Sequence, residues 1–160
     1  MLLRITIPAR PVPKSHELVK DPASGKRRMA TSGRAHRFQS EVRLLVRSEL
    51  NRLRIRKPAI PEGPVFAVVT FRLPRPKSGL HRTLPLPTAP PDLDNLLKTL
   101  WDGCKLAVYT DDAQIVDQRV RKLWASPEHP VGVELLLADL GAAEELFRSQ
   151  FGSGTVASST

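Results

Sequence analysis

Residues 74–91, PRPKSGLHRTLPLPTAPP, hold six prolines. Proline has no backbone N–H and a fixed φ, so this segment can be neither a central strand nor the interior of a helix. It therefore cuts the second half of the chain into separate elements. Before it lies VFAVVTFRL (65–73), an apolar, β-branched run that reads as a strand. After it comes PDLDNLLKTLWDG (91–103), where Leu96, Leu97, Leu100, Trp101 and Cys104 form the apolar stripe of a helix reaching about Leu106. Asp94 fits the N-cap of that helix. The proline segment itself is expected to be a mobile loop that delivers the chain to the helix.

The remaining elements follow from periodicity. LLRITIP (2–8) reads as a strand closed by proline, and residues 9–37 read as an extended basic loop rich in Pro, Gly and Ser. From about Ala35 to Leu53, Phe38, Val42, Leu45, Val46, Leu50 and Leu53 recur every three or four residues, which predicts an amphipathic helix whose wet side carries Arg37, Arg43, Arg47 and Arg52. VYTDD turns the chain, AQIVDQRVRKLWA forms a strand, and VGVELLLADL forms a final one. The fold class expected is α+β, a small mixed sheet with two main helices. A single domain over residues 1–140 would be followed by a tail, 141–160, with a short helical stretch and a disordered Gly/Ser/Thr end. No internal repeat is present.

The chain has 160 residues, enough for one domain with a proper core. No apolar run approaches the roughly 20 residues that span a bilayer, and Pro8 and Pro11 interrupt any signal-peptide core, so a soluble, cytoplasmic protein is expected. Cys104 is the one cysteine, which excludes an intramolecular disulfide and a cysteine-based zinc site. It reads as a small buried helical residue. His16, His36, His81 and His129 lack metal-type or nucleophile-type spacing, and Gly25 in SGKRR is not part of a phosphate-binding P-loop. Trp101 and Trp124 read as core or interface residues rather than base-stacking platforms.

Charge is distributed unevenly. The formal net charge is +9, yet residues 92–117 hold six aspartates against two lysines, while residues 1–60 hold 15 Lys/Arg against 4 Asp/Glu. A basic first half suits a polyanion, and a compact acidic island suits a cation. A merely solubilising basic face is the competing explanation.

In an extended segment, residues two apart face the same way, so Asp92 and Asp94 can address one centre at the helix entrance. Hard divalent ions such as magnesium prefer oxygen ligands of this kind and retain waters and phosphate oxygens. Asp111 and Asp112 form a second acidic pair after the helix, and spacing alone does not bring them beside the helix N-terminus. Lys98, one turn beyond Asp94, reads either as a plain i,i+4 ion pair or as a cation for a phosphate in its transition state. Asp102 is either an extension of the acidic face or a solvated helix position. Phosphodiester hydrolysis would use all these pieces: carboxylates to hold metal, metal to activate water, lysine to stabilise the phosphate.

The stretch PDLDNLLKTLWDG followed by VYTDDAQIVDQRVRK resembles the RusA family of Holliday junction resolvases, which includes phage and prophage members. The resemblance is strong over about residues 91–123 and extends weakly to ITIPARPVPKS, the basic helix and the closing strand. It implies a small homodimer that resolves four-way DNA by paired, magnesium-dependent nicks in a bacterial or phage-infected cell, with Mn²⁺ able to substitute. The implied catalytic residues are Asp92, Asp94, Lys98 and Asp112. Metal ligation would fall to Asp92, Asp94 and Asp112, with Asp111 adjacent. DNA phosphates would meet Lys14, Lys26, Arg27, Arg28, Arg34 and Arg37. Two alternatives stay open: a broader nuclease that also cuts flaps or forks, and a non-catalytic basic DNA-binding protein in which Asp92 and Asp94 are capping residues. No residue identifies a cleavage dinucleotide.

Overall fold

The computed structural model describes residues 1–20 and 25–151, with the side chains of Arg28 and residues 147–151 outside the description. The chain order is β1 (Leu2–Ile7), β2 (His16–Lys20), β3 (Arg27–Thr31), α1 (Gly33–Arg52), β4 (Val65–Leu73), α2 (Leu93–Cys104), β5 (Ile115–Trp124), β6 (Gly132–Ala138) and α3 (Leu140–Phe151). Four strands form a mixed sheet in the order β1-β6-β4-β5. β6 runs antiparallel to both β1 and β4, whereas β5 runs parallel to β4. The α+β expectation holds, with three α-helices among the described residues rather than two main ones.

Alternation builds the core. Leu3, Ile5 and Ile7 of β1, Val65, Ala67, Val69 and Phe71 of β4, and Val133, Leu135 and Leu137 of β6 are all buried and lie on one side of the sheet. That side packs against Phe38, Val42, Val46 and Leu50 of α1 and Leu96, Leu100 and Cys104 of α2. Each of the larger side chains contributes about 1.5–3 kcal/mol through burial. Where the two helices approach, Gly103 is required: a Cβ there would lie 2.7 Å from Cβ and Cγ1 of Val42. Burial pushes the Cys104 thiol up to about 12, so it stays protonated, as expected of a packing residue.

Three boundaries differ from those read in the sequence. The basic stretch 9–37 is not loop throughout, because β2 and β3 pair as an antiparallel hairpin, His16 against Thr31 through Lys20 against Arg27. α2 begins earlier than expected, with Asp92 and not Asp94 as its N-cap. α3 starts at Leu140, and the Gly/Ser/Thr end expected to be disordered, residues 152–160, lies outside the described residues.

The topology decides where chemistry can occur. Parallel β4 and β5 need a crossover, and it is made by the proline-rich segment and α2. The segment therefore leaves the carboxyl end of β4, and α2 returns antiparallel to both strands. Asp92 stands at the carboxyl edge of the parallel pair, the edge at which open α/β sheets present their ligand crevices.

Candidate active site at the amino end of α2

Asp92 and Asp94 are both exposed at the first turn of α2. The Asp92 carboxylate makes no capping hydrogen bond to the helix it introduces. Lys98 Nζ donates to Asp94 Oδ2 at 3.1 Å, and this bond, with backbone donors Asn95 and Asp94, holds the Asp94 carboxyl below its usual range. The helix dipole adds to the same end, favouring negative charge there.

The lead-in to this turn is held from below. Lys122 Nζ donates to the carbonyls of Ala89 at 2.8 Å and Pro91 at 2.9 Å, the second being the residue before Asp92. Sequence reasoning missed Lys122. The β5 register pairs Lys122 with buried Phe71, which sets it on the side of the sheet that also carries Gln118, Val120 and Trp124, and the burial of β5 alternates too weakly for the sequence to show this. The expected mobile loop is further tied by Trp124 Nε1 donating to Leu84 O at 2.9 Å, and by Arg75 Nη1 donating to Arg82 O and Leu84 O at 2.7 and 3.0 Å. A short helical turn, Leu80–Arg82, lies within it.

Asp111 and Asp112 are elsewhere. Lys105, the C-cap of α2, donates to Asp111 Oδ2 at 2.7 Å and lies 3.7 Å from Asp112 Oδ1. α2 rises about 1.5 Å per residue, so its 12 residues separate these acids from the Asp92 turn by most of the helix length. Among the described residues no group of three or more Asp, Glu, His or Cys side chains is arranged to hold a metal ion. One chain brings together Asp92, Asp94 and Lys98, and separately Asp111, Asp112 and Lys105. Asp111 caps the turn 112–114, accepting from Ala113 N while Gln114 reaches back to its backbone. Its carboxyl is held at about 2, chiefly by the Lys105 hydrogen bond.

Asp102 plays neither of its expected roles. Its Oδ2 accepts from Lys14 Nζ at 2.8 Å and Gln39 Nε2 at 3.0 Å, while its carbonyl accepts from Arg43. The ammonium of Lys14, expected on DNA, thus joins the N-terminal segment to α2. Lys14 N also donates to Asn95 O at 2.8 Å, and Ser32 N to Ser15 O at 2.8 Å. Those bonds root the β2–β3 hairpin at the first turn of α2. Lys26 and Arg27 on the hairpin, and Arg34 and Arg37 on the first turns of α1, are exposed, and Arg28 pairs with Val19 across the hairpin. The basic hairpin and the acidic turn share one end of the molecule.

The family model of endodeoxyribonuclease RusA matches residues 8–135. The chain belongs to the RusA endodeoxyribonuclease family. The matched span covers both acidic clusters, Lys98 and the basic hairpin, as the sequence resemblance implies. A protein of Bacillus subtilis (strain 168) named "Uncharacterized protein YqaN" is 30% identical over 128 residues, covering 74% of this chain and 84% of that protein. No helix among the described residues is long and apolar enough to cross a membrane.

Proposed function

We propose that the chain is a metal-dependent endodeoxyribonuclease that resolves four-way DNA junctions by paired nicks. The observation that carries the reading is the exposed turn of α2, where Asp92 and Asp94 sit within one or two helical turns of Lys98 at the root of a basic hairpin. Exposed capping aspartates alone need no such neighbours, which disfavours a non-catalytic DNA binder.

The donor chemistry fits magnesium, which is commonly bound by one or two carboxylates together with waters and phosphate oxygens. Asp92 and Asp94 would hold it, and when bound it supplies Lewis-acid stabilisation and water activation. Lys98 is exposed and can exchange Asp94 for a phosphate oxygen, adding positive charge where negative charge accumulates in the transition state. Arg27, Arg34 and Arg37 would grip phosphates and align the strand.

Asp112 joins this set through a second copy of the chain. β5 is an edge strand, and none of its ten residues is fully buried. Antiparallel pairing of two β5 edges about a twofold axis would bring the Ile115 end of one copy, which follows Asp112, towards the Trp124 end of the other, where Lys122 holds the lead-in to Asp92. Each site would then draw Asp92, Asp94 and Lys98 from one copy and Asp112 from its partner, and two sites would give two nicks.

Complementation tests this arrangement. Asp94→Asn and Asp112→Asn preparations are each expected to be inactive on a labelled four-way junction with Mg²⁺, while a refolded mixture regains single nicking, because one site of a mixed dimer is intact. A mixture as inactive as its components, with mixed dimers demonstrated, would confine each site to one chain.

A further inference from the structure

Beside the acidic turn runs a groove of about 1020 Å³, lined by Arg10, Arg34, Arg75, Lys77, Trp124 and Pro91 among others, with no Asp or Glu in its lining. We propose that it binds an unpaired DNA strand and feeds that strand to the Asp92–Asp94 turn; the identity of this occupant as substrate rests on the cleavage reading. Charge, a held aromatic surface and position each support it.

The charge is uncompensated. Arg10, Arg34 and Lys77 are exposed and form no ion pair among the described residues. Cations of like sign gathered around a concavity repel one another until a polyanion enters. The aromatic surface is Trp124, which is half-buried. Its indole N–H is fixed to Leu84 O, and the Arg75 guanidinium lies 5.2 Å from its ring centroid while donating to Arg82 O and Leu84 O. Planar groups fixed this way suit stacking of unpaired bases, and a basic groove tracking the backbone beside them is the usual arrangement for single strands. A duplex keeps its base faces stacked inside and offers such a groove phosphates, sugars and base edges, with no face for Trp124 to stack on. At about 1020 Å³ the groove stands at the upper end of the roughly 300–1,000 Å³ of ligand pockets, a size that admits more than one nucleotide. As to position, Pro91 lines the groove and is the residue before Asp92, so the wall of the groove continues into the acidic turn.

Trp124 thereby takes a role other than the core or interface one that the sequence suggested. Trp101 fills the core role, at 7% exposure. The contrast supplies a probe, since these are the two tryptophans of the chain. Twelve-nucleotide oligo(dT), titrated in EDTA, is expected to quench the fluorescence of the wild type and not that of Trp124→Phe. An Arg10→Ala/Lys77→Ala variant, altered only at exposed positions, is expected to bind the oligonucleotide about tenfold more weakly, with a salt slope reduced by about 0.7 for each phosphate no longer gripped. Absence of quenching, equal quenching by a short blunt duplex or by polyglutamate, or unchanged binding by the double variant would overturn the proposal. Cleavage of a four-way junction by the same preparations separates the two readings. A wild type that cuts without binding oligo(dT) removes the groove alone; one that binds oligo(dT) without cutting removes the cleavage reading.

Discussion

Lys98 Nζ lies 3.1 Å from Asp94 Oδ2, one turn further along α2, with both side chains more than half exposed at 58% and 63%. A pair this open contributes little to stability. Lys98→Ala is expected to leave the thermal midpoint nearly unchanged and slow single-turnover cleavage by about 10²–10³-fold, the usual effect of removing a transition-state donor. A near-wild-type rate would reduce Lys98 to a surface ion pair.

Asp111 gives a prediction about acid. Its carboxyl is held at about 2, below the ordinary 3.8, chiefly by Lys105 and then by Ala113 N. A depressed folded-state pKa adds stability that is complete above the unfolded value and lost as pH falls through the folded one. Urea unfolding should show wild type more stable than Asp111→Asn at pH 6, with the gap closing between about pH 4 and pH 2. A gap that persists unchanged at pH 2 would mean that the charge of Asp111 contributes nothing.

The contact between α1 and α2 is tested at Gly103. Gly103→Ala puts a methyl group 2.7 Å from Val42 and is expected to cost about 1–3 kcal/mol. Adding Val42→Ala should recover part of that loss, since it removes Cγ1, one of the two clashing atoms, and leaves only Cβ. Independent, additive losses in the double variant would show that the helices do not meet there.

The hairpin and the first turns of α1 should act on binding alone. Replacing Arg27, Arg34 and Arg37 by alanine is expected to weaken binding to every branched DNA and lower the salt slope by about 0.9 for each phosphate that the variant no longer neutralises. An unchanged slope would move the DNA to another face.

Much of this architecture is legible in the chain because one-sided burial leaves a periodic trace. β4 is bounded by its apolar run and the prolines around it, and α1 is marked by Phe38, Val42, Val46 and Leu50. β2 and β3 leave no such trace. HELVK is exposed at four of its five positions, so no apolar alternation marks it, and its strand character comes from pairing with RRMAT. The acidic turn and Lys98 can be read because their relation is local to one helix. Asp102 cannot, since its partners Lys14 and Gln39 are 88 and 63 residues away. The separation of Asp112 from Asp92 likewise depends on the direction in which α2 returns across the sheet.

The measurement that bears most directly on the acidic turn as a cutting centre uses one labelled four-way junction and two proteins. On the proposed reading, Asp92 and Asp94 without metal place negative charge where the scissile phosphate would lie, so removing one charge should not weaken binding. Wild type is expected to nick the junction in Mg²⁺ or Mn²⁺ and to stop in EDTA. Asp94→Asn is expected to lose cleavage while binding the junction in EDTA as tightly as wild type, or more tightly. Cutting that continues in EDTA, wild-type cleavage by well-folded Asp94→Asn, or weaker junction binding by that variant would contradict the account.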